Sequence, residues 1–307
     1  MKQDHFKNKV CWITGASSGI GAALALTLNR LGATVIVSSR NTHRLDALRN
    51  NCDYPDHVRV LPCDMEGGAS LGQVAREAWR LHDGIDYVFL NAGMAVRDLV
   101  ENTELVMIQK VMNVNFISNT VIIRALLPMM IKRRRGHFIV TSSLSGRFGV
   151  PKLSAYSASK HAMNGFMESL RAEYETKGVR ATIATVGLVK TNIALNALMG
   201  DGTRSGKDQE SIARGITPEQ CARDMVQAVA ANRREVFVGG IEGCSVFVKR
   251  FFPGLHASLI GKNPMRRMRN IIQRMKRYLF FPLAPAPASI TRHDVRLADN
   301  SRRDSTQ

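Results

Sequence analysis

A tyrosine and a lysine four positions apart have the chemistry for proton transfer. Tyr156 and Lys160 would lie on one face of a helix, because residues at this spacing are neighbours on a helical surface. A free phenol has a pKa of about 10, so its proton leaves reluctantly at neutral pH. A nearby ammonium favours the phenolate and moves the phenol toward the working range of a general acid/base. Reduction of a ketone by hydride needs such a group, since the resulting oxyanion must collect a proton.

A pair of serines marks a place where a carbonyl oxygen could be held. Ser142 and Ser143 end a predicted strand, and Tyr156 follows 13 residues after Ser143, at the start of the next predicted helix. Ligands of open parallel sheets bind at the carboxyl ends of the strands. We therefore predict that Ser143 donates a hydrogen bond to the carbonyl oxygen that Tyr156 protonates.

A glycine-rich turn near the start of the chain predicts a dinucleotide site. Residues Thr14–Gly21 read T-G-A-S-S-G-I-G, between a predicted strand and an apolar helix. Glycine permits a tight turn and close approach to a ligand, and the free N–H groups of a helix N-terminus suit a pyrophosphate. A purely structural turn is the alternative, which the flanking strand and helix disfavour. The predicted cofactor contacts are Gly15, Ser17, Ser18, Gly19, Ile20 and Gly21.

The end of the second predicted strand bears on the choice of nicotinamide cofactor. An acidic residue there would bind the ribose 2′-hydroxyl, whereas an arginine would accommodate a 2′-phosphate. This chain has Ser39, 18 residues after Gly21, followed by Arg40. A guanidinium can donate two hydrogen bonds to a phosphate, so the sequence favours NADP(H) over NAD(H). The alternative is that Arg40 is a solvated residue that opens the next helix.

The elements that must position these residues alternate between strands and helices. Helical periodicity over residues 20–31, 71–81, 104–131 and 155–177 separates short, near-continuous apolar runs. This alternation predicts an α/β fold with a Rossmann-type, doubly wound parallel sheet of about seven strands. The predicted strands are Val10–Thr14, Thr34–Ser38, Val58–Leu61, Asp86–Leu90, His137–Thr141, Arg180–Thr185 and Glu235–Val238.

Taken in order, these motifs resemble those of the short-chain dehydrogenase/reductase family over about residues 7–240. Thr14–Gly21 resembles the family's T-G-x-x-x-G-x-G turn. The resemblance implies an oxidoreductase that acts on a CH–OH group with NAD(P) as acceptor. It also implies four catalytic residues, namely Asn115, Ser143, Tyr156 and Lys160.

The same resemblance implies further contacts with the cofactor. Asn91, Ala92 and Gly93 resemble the family's N-A-G segment, which shapes the adenine-ribose side of the pocket. Asp64 matches the residue that meets the adenine ring. Asn115 matches the residue that holds a water in the proton relay. Tyr156 and Lys160 are also expected to contact the cofactor, Lys160 through the nicotinamide ribose hydroxyls.

The segment after the sixth predicted strand departs from the family. The family usually has Pro-Gly and then a threonine that contacts the cofactor, whereas this chain has Val186 before Gly187, followed by Thr191. Proline would fix φ and stiffen the loop, so we expect a looser loop and carry Thr191 over as a cofactor contact. Beyond it, apolar residues 193–199 and a Gly-rich, mobile stretch (200–206) lie where the family places its substrate lid. They indicate a lipophilic substrate; the alternative is that they only pack on the domain.

Charge is concentrated at the end of the chain. The net charge is +18, and Lys249–Gln307 has thirteen Lys/Arg against three Asp. We predict a catalytic domain over residues 1–248, a basic amphipathic helical extension over 249–281 and a disordered tail over 282–307. Residues 265, 268, 272, 275 and 279 form the apolar stripe of this helical extension. Such a helix indicates an anionic membrane surface; docking on protein is the alternative, and sparse aromatic residues make nucleic acid a poor partner.

Cysteine usage and targeting signals limit the other possibilities. The five cysteines are widely spaced and form no CxxC pair, which argues against a disulfide scaffold or a zinc ribbon, so no metal site is predicted. The N-terminus is polar, and no window reaches about 18 uncharged apolar residues. We therefore expect a cytoplasmic protein, at most peripheral on the inner face of a membrane.

The sequence thus indicates an enzyme that interconverts a ketone or aldehyde and an alcohol with NADP(H). The expected substrate is lipid- or steroid-like, and the family resemblance adds an expected homo-oligomer. A non-catalytic NADP(H)-binding sensor or scaffold is the alternative. Loss of a catalytic residue would have favoured it, and all four are present.

Overall fold

A computed structural model describes residues 4–206 and 215–260 of the 307-residue chain. Its strands form one sheet in which all neighbours are parallel, in the order β3-β2-β1-β4-β5-β6-β7. This order is that of a doubly wound sheet, so the predicted fold class is confirmed. The strands are β1 (Val10–Thr14), β2 (Thr34–Ser38), β3 (Val58–Val60), β4 (Tyr87–Leu90), β5 (Gly136–Ser143), β6 (Val179–Val186) and β7 (Glu235–Val238).

Helices cover both faces of the sheet. The helices are α1 (Gly19–Arg30), α2 (Thr42–Asn50), α3 (Leu71–Arg80), α4 (Leu105–Met112), α5 (Ser118–Arg133), α6 (Ser154–Tyr174), α7 (Pro218–Ala230), α8 (Cys244–Phe251) and α9 (Pro253–Ile260). Successive strand residues point to opposite faces, so that in β1 Ile13 joins the core under α1, α2 and α7, whereas Trp12 joins the core under α3, α5 and α6. Burial on both faces explains why the strands are near-continuous apolar runs.

The long helix predicted over residues 104–131 is interrupted. A π-helical turn, Asn113–Ile117, separates α4 from α5 and buries Asn115 completely. By length and composition, Leu105–Arg133 could cross a membrane. Ile122, Ile123 and Leu126 are nevertheless fully buried in the core of this domain, which accounts for the apolar composition.

The chain after β7 packs against the segment that follows β5. The Lys249 ammonium donates to the carbonyl oxygen of Arg147 over 2.8 Å, and the His256 ring packs edge-on against Phe148 with 4.6 Å between ring centroids. The boundary predicted between residues 248 and 249 lies within α8. The predicted amphipathic stripe and tail lie beyond residue 260, outside the described residues.

Candidate active site

Ser143 and Tyr156 meet at the carboxyl edge of the sheet. Ser143 is the last residue of β5, and Tyr156 is in the first turn of α6. A short 3₁₀ turn, Leu144–Gly146, follows Ser143, whose hydroxyl accepts a hydrogen bond from the Ser145 amide over 3.1 Å. The Ser143 hydroxyl is also close enough to the Tyr156 phenol to lower its pKa. The structure therefore brings together the two residues predicted to handle the carbonyl oxygen.

Lys160 lies one helical turn after Tyr156 and is only 5% exposed. Its ammonium donates to the carbonyl oxygen of Thr141 over 2.8 Å, and its Nζ lies 5.6 Å from the centroid of the Tyr156 ring. Thr141 precedes the two serines on β5, so a single strand end carries Ser143 and anchors Lys160. Thr141 is not among the predicted site residues, although its place at a strand end among polar residues is a usable signal.

Burial sets the protonation state of this pair. The expected lowering of the Tyr156 pKa by the Lys160 ammonium is not found. Removal from water instead raises the pKa of the phenol, and the interaction with Ser143 only partly opposes that rise. Burial lowers the pKa of Lys160 to about 8. Both shifts have one cause, because a low-dielectric environment disfavours the charged form of each group. At neutral pH the phenol therefore keeps its proton.

Asn115 is held within the fold by its own side chain. Its carboxamide accepts from the Met94 amide over 2.8 Å, and its Nδ2 donates to the Met94 carbonyl over 2.9 Å and to Ser159 over 3.0 Å. An added Cβ at Gly93 would lie 3.2 Å from Asn115 Oδ1 and 3.6 Å from Lys160 Nζ, so these three residues are close neighbours. The π-helical turn thus fixes Asn115 beside the lysine.

The glycine-rich turn packs directly against the segment after β4. Gly15 has a φ of +69°, and an added Cβ there would lie 2.8 Å from the α-carbon of Ala92. An added Cβ at Gly21 would lie 2.2 Å from the Gly15 carbonyl oxygen and 2.6 Å from Asn91 Nδ2. Both positions need glycine because no other residue fits the space that the turn leaves.

A small hydrogen-bond network joins this turn to the end of β5. The Thr14 hydroxyl accepts from the amides of Asn91 and Ala92, each over 3.1 Å. The Asn91 side chain donates to the Thr14 carbonyl over 3.2 Å and accepts from the Thr141 hydroxyl over 3.1 Å. The cofactor side and the Lys160 side of the site therefore share one rigid support.

The start of α1 is suited to a pyrophosphate. Ser18 is the N-cap of α1, and its side chain makes no capping hydrogen bond. The first amide groups of a helix have no partner within the helix, so those of Gly19, Ile20 and Gly21 are available to an anion. Gly19 also lies against Thr191, because an added Cβ would be 3.1 Å from Thr191 Cγ2. Ser17 is half-buried within the same turn. The turn thus fits a dinucleotide.

The predicted adenosine contacts lie side by side at the ends of β2 and β3. The Ser39 carbonyl accepts from the Cys63 amide over 3.2 Å, which places Ser39 beside Asp64. Asp64 is exposed, and its side chain accepts from the Glu66 amide over 3.0 Å. The Arg40 side chain is 71% exposed, and its guanidinium lies 3.6 Å from the Glu66 carboxylate. Glu66 lies 26 residues further along the chain, so the local sequence around Arg40 does not predict this partner.

The segment after β6 is tied to the loop after β4. Leu198 exchanges backbone hydrogen bonds with Ala95 and Arg97 over 3.0 and 2.8 Å, and the Gly200 amide donates to the Asp98 carboxylate over 3.2 Å. The stretch predicted as mobile is therefore hydrogen-bonded at its start. Ile193 remains 39% exposed.

Comparison with known proteins identifies the family of this chain. Residues 9–199 match a family model described as short chain dehydrogenase. A dehydrogenase/reductase SDR family protein 7-like protein of Drosophila melanogaster is 33% identical over 86% of this chain and 83% of its own length. Dehydrogenase/reductase SDR family member 7B of Xenopus laevis is 32% identical over 83% of this chain and 81% of its own.

A solved structure shows the same fold at lower identity. A short chain dehydrogenase/reductase from Burkholderia phymatum, in complex with NAD, matches with a TM-score of 0.71 and 22% identity. The match covers 82% of this chain and 96% of that one. The matching family model, the curated relatives and the shared fold lead to one conclusion: the chain is an oxidoreductase of the short-chain dehydrogenase/reductase family.

Proposed function

We propose that the protein interconverts a lipophilic ketone or aldehyde and its alcohol, with NADP(H) as cofactor. The observation that carries this proposal is the meeting of Ser143, Tyr156 and Lys160 beside a glycine-rich turn that fits a dinucleotide. The half-exposed apolar residues Ile193 and Leu195, on the segment after β6, support a lipophilic substrate.

The geometry supports a division of labour during reduction. The nicotinamide, when bound, supplies the hydride that adds to the carbonyl carbon. The Ser143 hydroxyl holds the carbonyl oxygen by a hydrogen bond, and the Tyr156 phenol donates its proton to that oxygen as negative charge develops. Lys160, fixed by the Thr141 carbonyl, stabilises the phenolate that remains. The Asn115 side chain holds the Gly93 segment beside Lys160.

The preference for NADP(H) rests on Arg40. No acidic residue stands at position 39 to bind a ribose 2′-hydroxyl. The guanidinium pairs with Glu66 at the surface, where such ion pairs contribute little, about 0–1 kcal/mol. A 2′-phosphate that accepts two hydrogen bonds from Arg40 can therefore compete with that pairing.

Cofactor oxidation with a panel of lipophilic ketones and aldehydes tests this proposal. We expect the protein to oxidise NADPH faster than NADH, and Arg40→Ala to raise the KM for NADPH about tenfold while leaving that for NADH nearly unchanged, because a charged hydrogen bond is lost. Arg124→Ala, which removes an exposed charge from α5, is the matched control. Equal use of NADH and NADPH would contradict the cofactor assignment, and turnover of neither would contradict the function.

We further propose that the C-terminal region contacts an anionic membrane surface. Phe247, Phe251 and Phe252 are 56–61% exposed, and Lys249 and Arg250 lie in the last turn of α8. The sequence from position 244 to position 281 has nine Lys/Arg and no Asp or Glu. Exposed aromatic rings beside an all-cationic segment match the apolar boundary and negative charge of such a surface.

Sedimentation with vesicles tests this contact. We expect the full chain to sediment with vesicles that contain phosphatidylserine, less so in high salt or with phosphatidylcholine alone. Removal of residues 249–307 and the double change Phe247→Ser/Phe251→Ser should each reduce binding severalfold. Val100→Ser/Leu105→Ser removes equally exposed apolar side chains elsewhere and should have no effect. Equal binding by all variants would rule out this surface.

A further inference from the structure

The loop after β6 lies between the two halves of the proposed site. Val186, the last residue of β6, immediately precedes the loop and pairs in register with Ser143 in the sheet. Its far end, Thr191, contacts Gly19 at the start of α1. The loop therefore passes from the catalytic serine to the glycine-rich turn. Its position determines the space that a nicotinamide and its ribose would occupy.

Glu242 holds this loop from the other side. It lies in a 3₁₀ turn, Ile241–Gly243, just before α8. One carboxylate oxygen accepts from the Leu188 amide over 2.9 Å and from the Gly240 amide over 3.0 Å. A single side chain thus links the loop after β6 to the segment after β7.

Three glycines make room for this carboxylate. An added Cβ at Gly187 would lie 2.2 Å from Glu242 Oε1, and its three nearest neighbours all belong to Glu242. An added Cβ at Gly239 or Gly240 would lie 2.8 Å from a carboxylate oxygen. The space around the carboxylate is thus shaped by residues from both segments, as expected for a specific contact.

The contact is electrostatically favourable. Although partial burial raises the pKa of Glu242, hydrogen bonds from the Leu188 and Gly240 amides outweigh it, and the pKa lies below its ordinary value. The side chain is therefore ionised at neutral pH, and its hydrogen bonds are charge-assisted. Val186 leaves the backbone without the constraint of a proline ring, so the stiffness of the loop depends on contacts of this kind.

We propose that Glu242 is a positioning residue that holds the loop Gly187–Thr191 in its cofactor-binding conformation. The inference rests on the proposed function, because it assigns this loop to the nicotinamide side of the cofactor. Glu242 touches neither substrate nor reacting atoms and acts through the Leu188 amide. Because the turn that contains Glu242 immediately precedes α8, this side chain also links the C-terminal helices to the active site.

NADPH binding to the full-length protein, followed by nicotinamide fluorescence, tests this role. Glu242→Ala is expected to weaken binding about tenfold, because a charge-assisted hydrogen bond is lost. The kcat at saturating NADPH should change much less than the KM. Glu242→Gln keeps an acceptor oxygen in place and should bind within about twofold of the unaltered chain. Glu173→Ala, at an exposed position of α6, is the matched control.

A second substitution, in the loop itself, tests the same contact. Gly187→Ala would displace the carboxylate, and the φ of Gly187 lies outside the left-handed region, so the backbone tolerates alanine. Gly187→Ala should weaken binding in the unaltered chain but have no further effect in Glu242→Ala, because the clash is then absent. The inference would be overturned if the effects of Gly187→Ala and Glu242→Ala on NADPH affinity were additive. It would also be overturned if Glu242→Gln and Glu242→Ala lost equal NADPH affinity. Absence of NADPH binding by the unaltered chain would contradict the proposed function as well, whereas binding that is insensitive to Glu242 would contradict the inference alone.

Discussion

Replacement of Tyr156 by phenylalanine is expected to reduce the kcat for carbonyl reduction about a thousandfold, the usual scale of general acid catalysis. The variant keeps the ring and removes only the hydroxyl that meets Ser143. The proton that the developing oxyanion needs then has no donor at that position. NADPH oxidation at saturating ketone measures the loss, and NADPH fluorescence should show cofactor affinity within about twofold, because the turn at α1 is untouched.

Tyr174→Phe is the matched control for this prediction. Tyr174 ends the same helix, where the Lys177 ammonium lies 4.9 Å from its ring centroid. Loss of its hydroxyl should leave turnover unchanged. If Tyr156→Phe kept its rate, another group would donate the proton and the proposed mechanism would be wrong.

The protonation state of Tyr156 also sets the pH dependence of the unaltered enzyme. Burial raises the pKa of the phenol, so the acid form is present at neutral pH and is lost as pH rises through that pKa. Ketone reduction, which needs the phenol, should therefore be level near neutral pH and fall at alkaline pH. Alcohol oxidation needs the phenolate and should rise over the same range. The rise should be less steep above about pH 8, because Lys160, whose pKa is about 8, then loses the charge that stabilises the phenolate.

The sequence predicts most of this site because of one geometric fact. The carboxyl ends of parallel strands meet at one edge of a sheet, so polar residues that follow separate strands become neighbours. Ser143 at the end of β5 and the glycine turn after β1 can be grouped in this way from the sequence alone, whereas Asn91 after β4 is implied by the family resemblance. The placement of Tyr156 and Lys160 on one face of a helix follows from their spacing of four residues.

The remaining features depend on contacts that local pattern does not encode. The π-helical turn at Asn115 lies within a continuous apolar periodicity, and tertiary packing selects it. Arg40 meets Glu66 through the adjacency of β2 and β3. Glu242 lies 54 residues beyond Leu188, in a segment where the α/β pattern has ended. No sequence signal distinguishes that glutamate from one in solvent.

Gly21→Ala is expected to weaken NADPH binding by up to about a hundredfold. The added Cβ would lie 2.2 Å from the Gly15 carbonyl oxygen and 2.6 Å from Asn91 Nδ2. Relief of such a clash requires movement of the turn or of the helix behind it, and strain of this kind costs about 1–3 kcal/mol. The same movement pulls the first amides of α1 away from the position of a pyrophosphate, so affinity and stability fall together.

Thermal unfolding with and without NADPH separates these two effects. A bound ligand raises the Tm of the unaltered chain, and we expect this increase to vanish in Gly21→Ala even where the variant remains folded. Gly165→Ala is the matched control, because an added Cβ on this exposed face of α6 meets nothing within 4 Å. It should bind NADPH normally and gain up to about 1 kcal/mol from helix propensity. Normal binding by Gly21→Ala would show that the turn is structural only, and the cofactor would then have to bind elsewhere on the sheet.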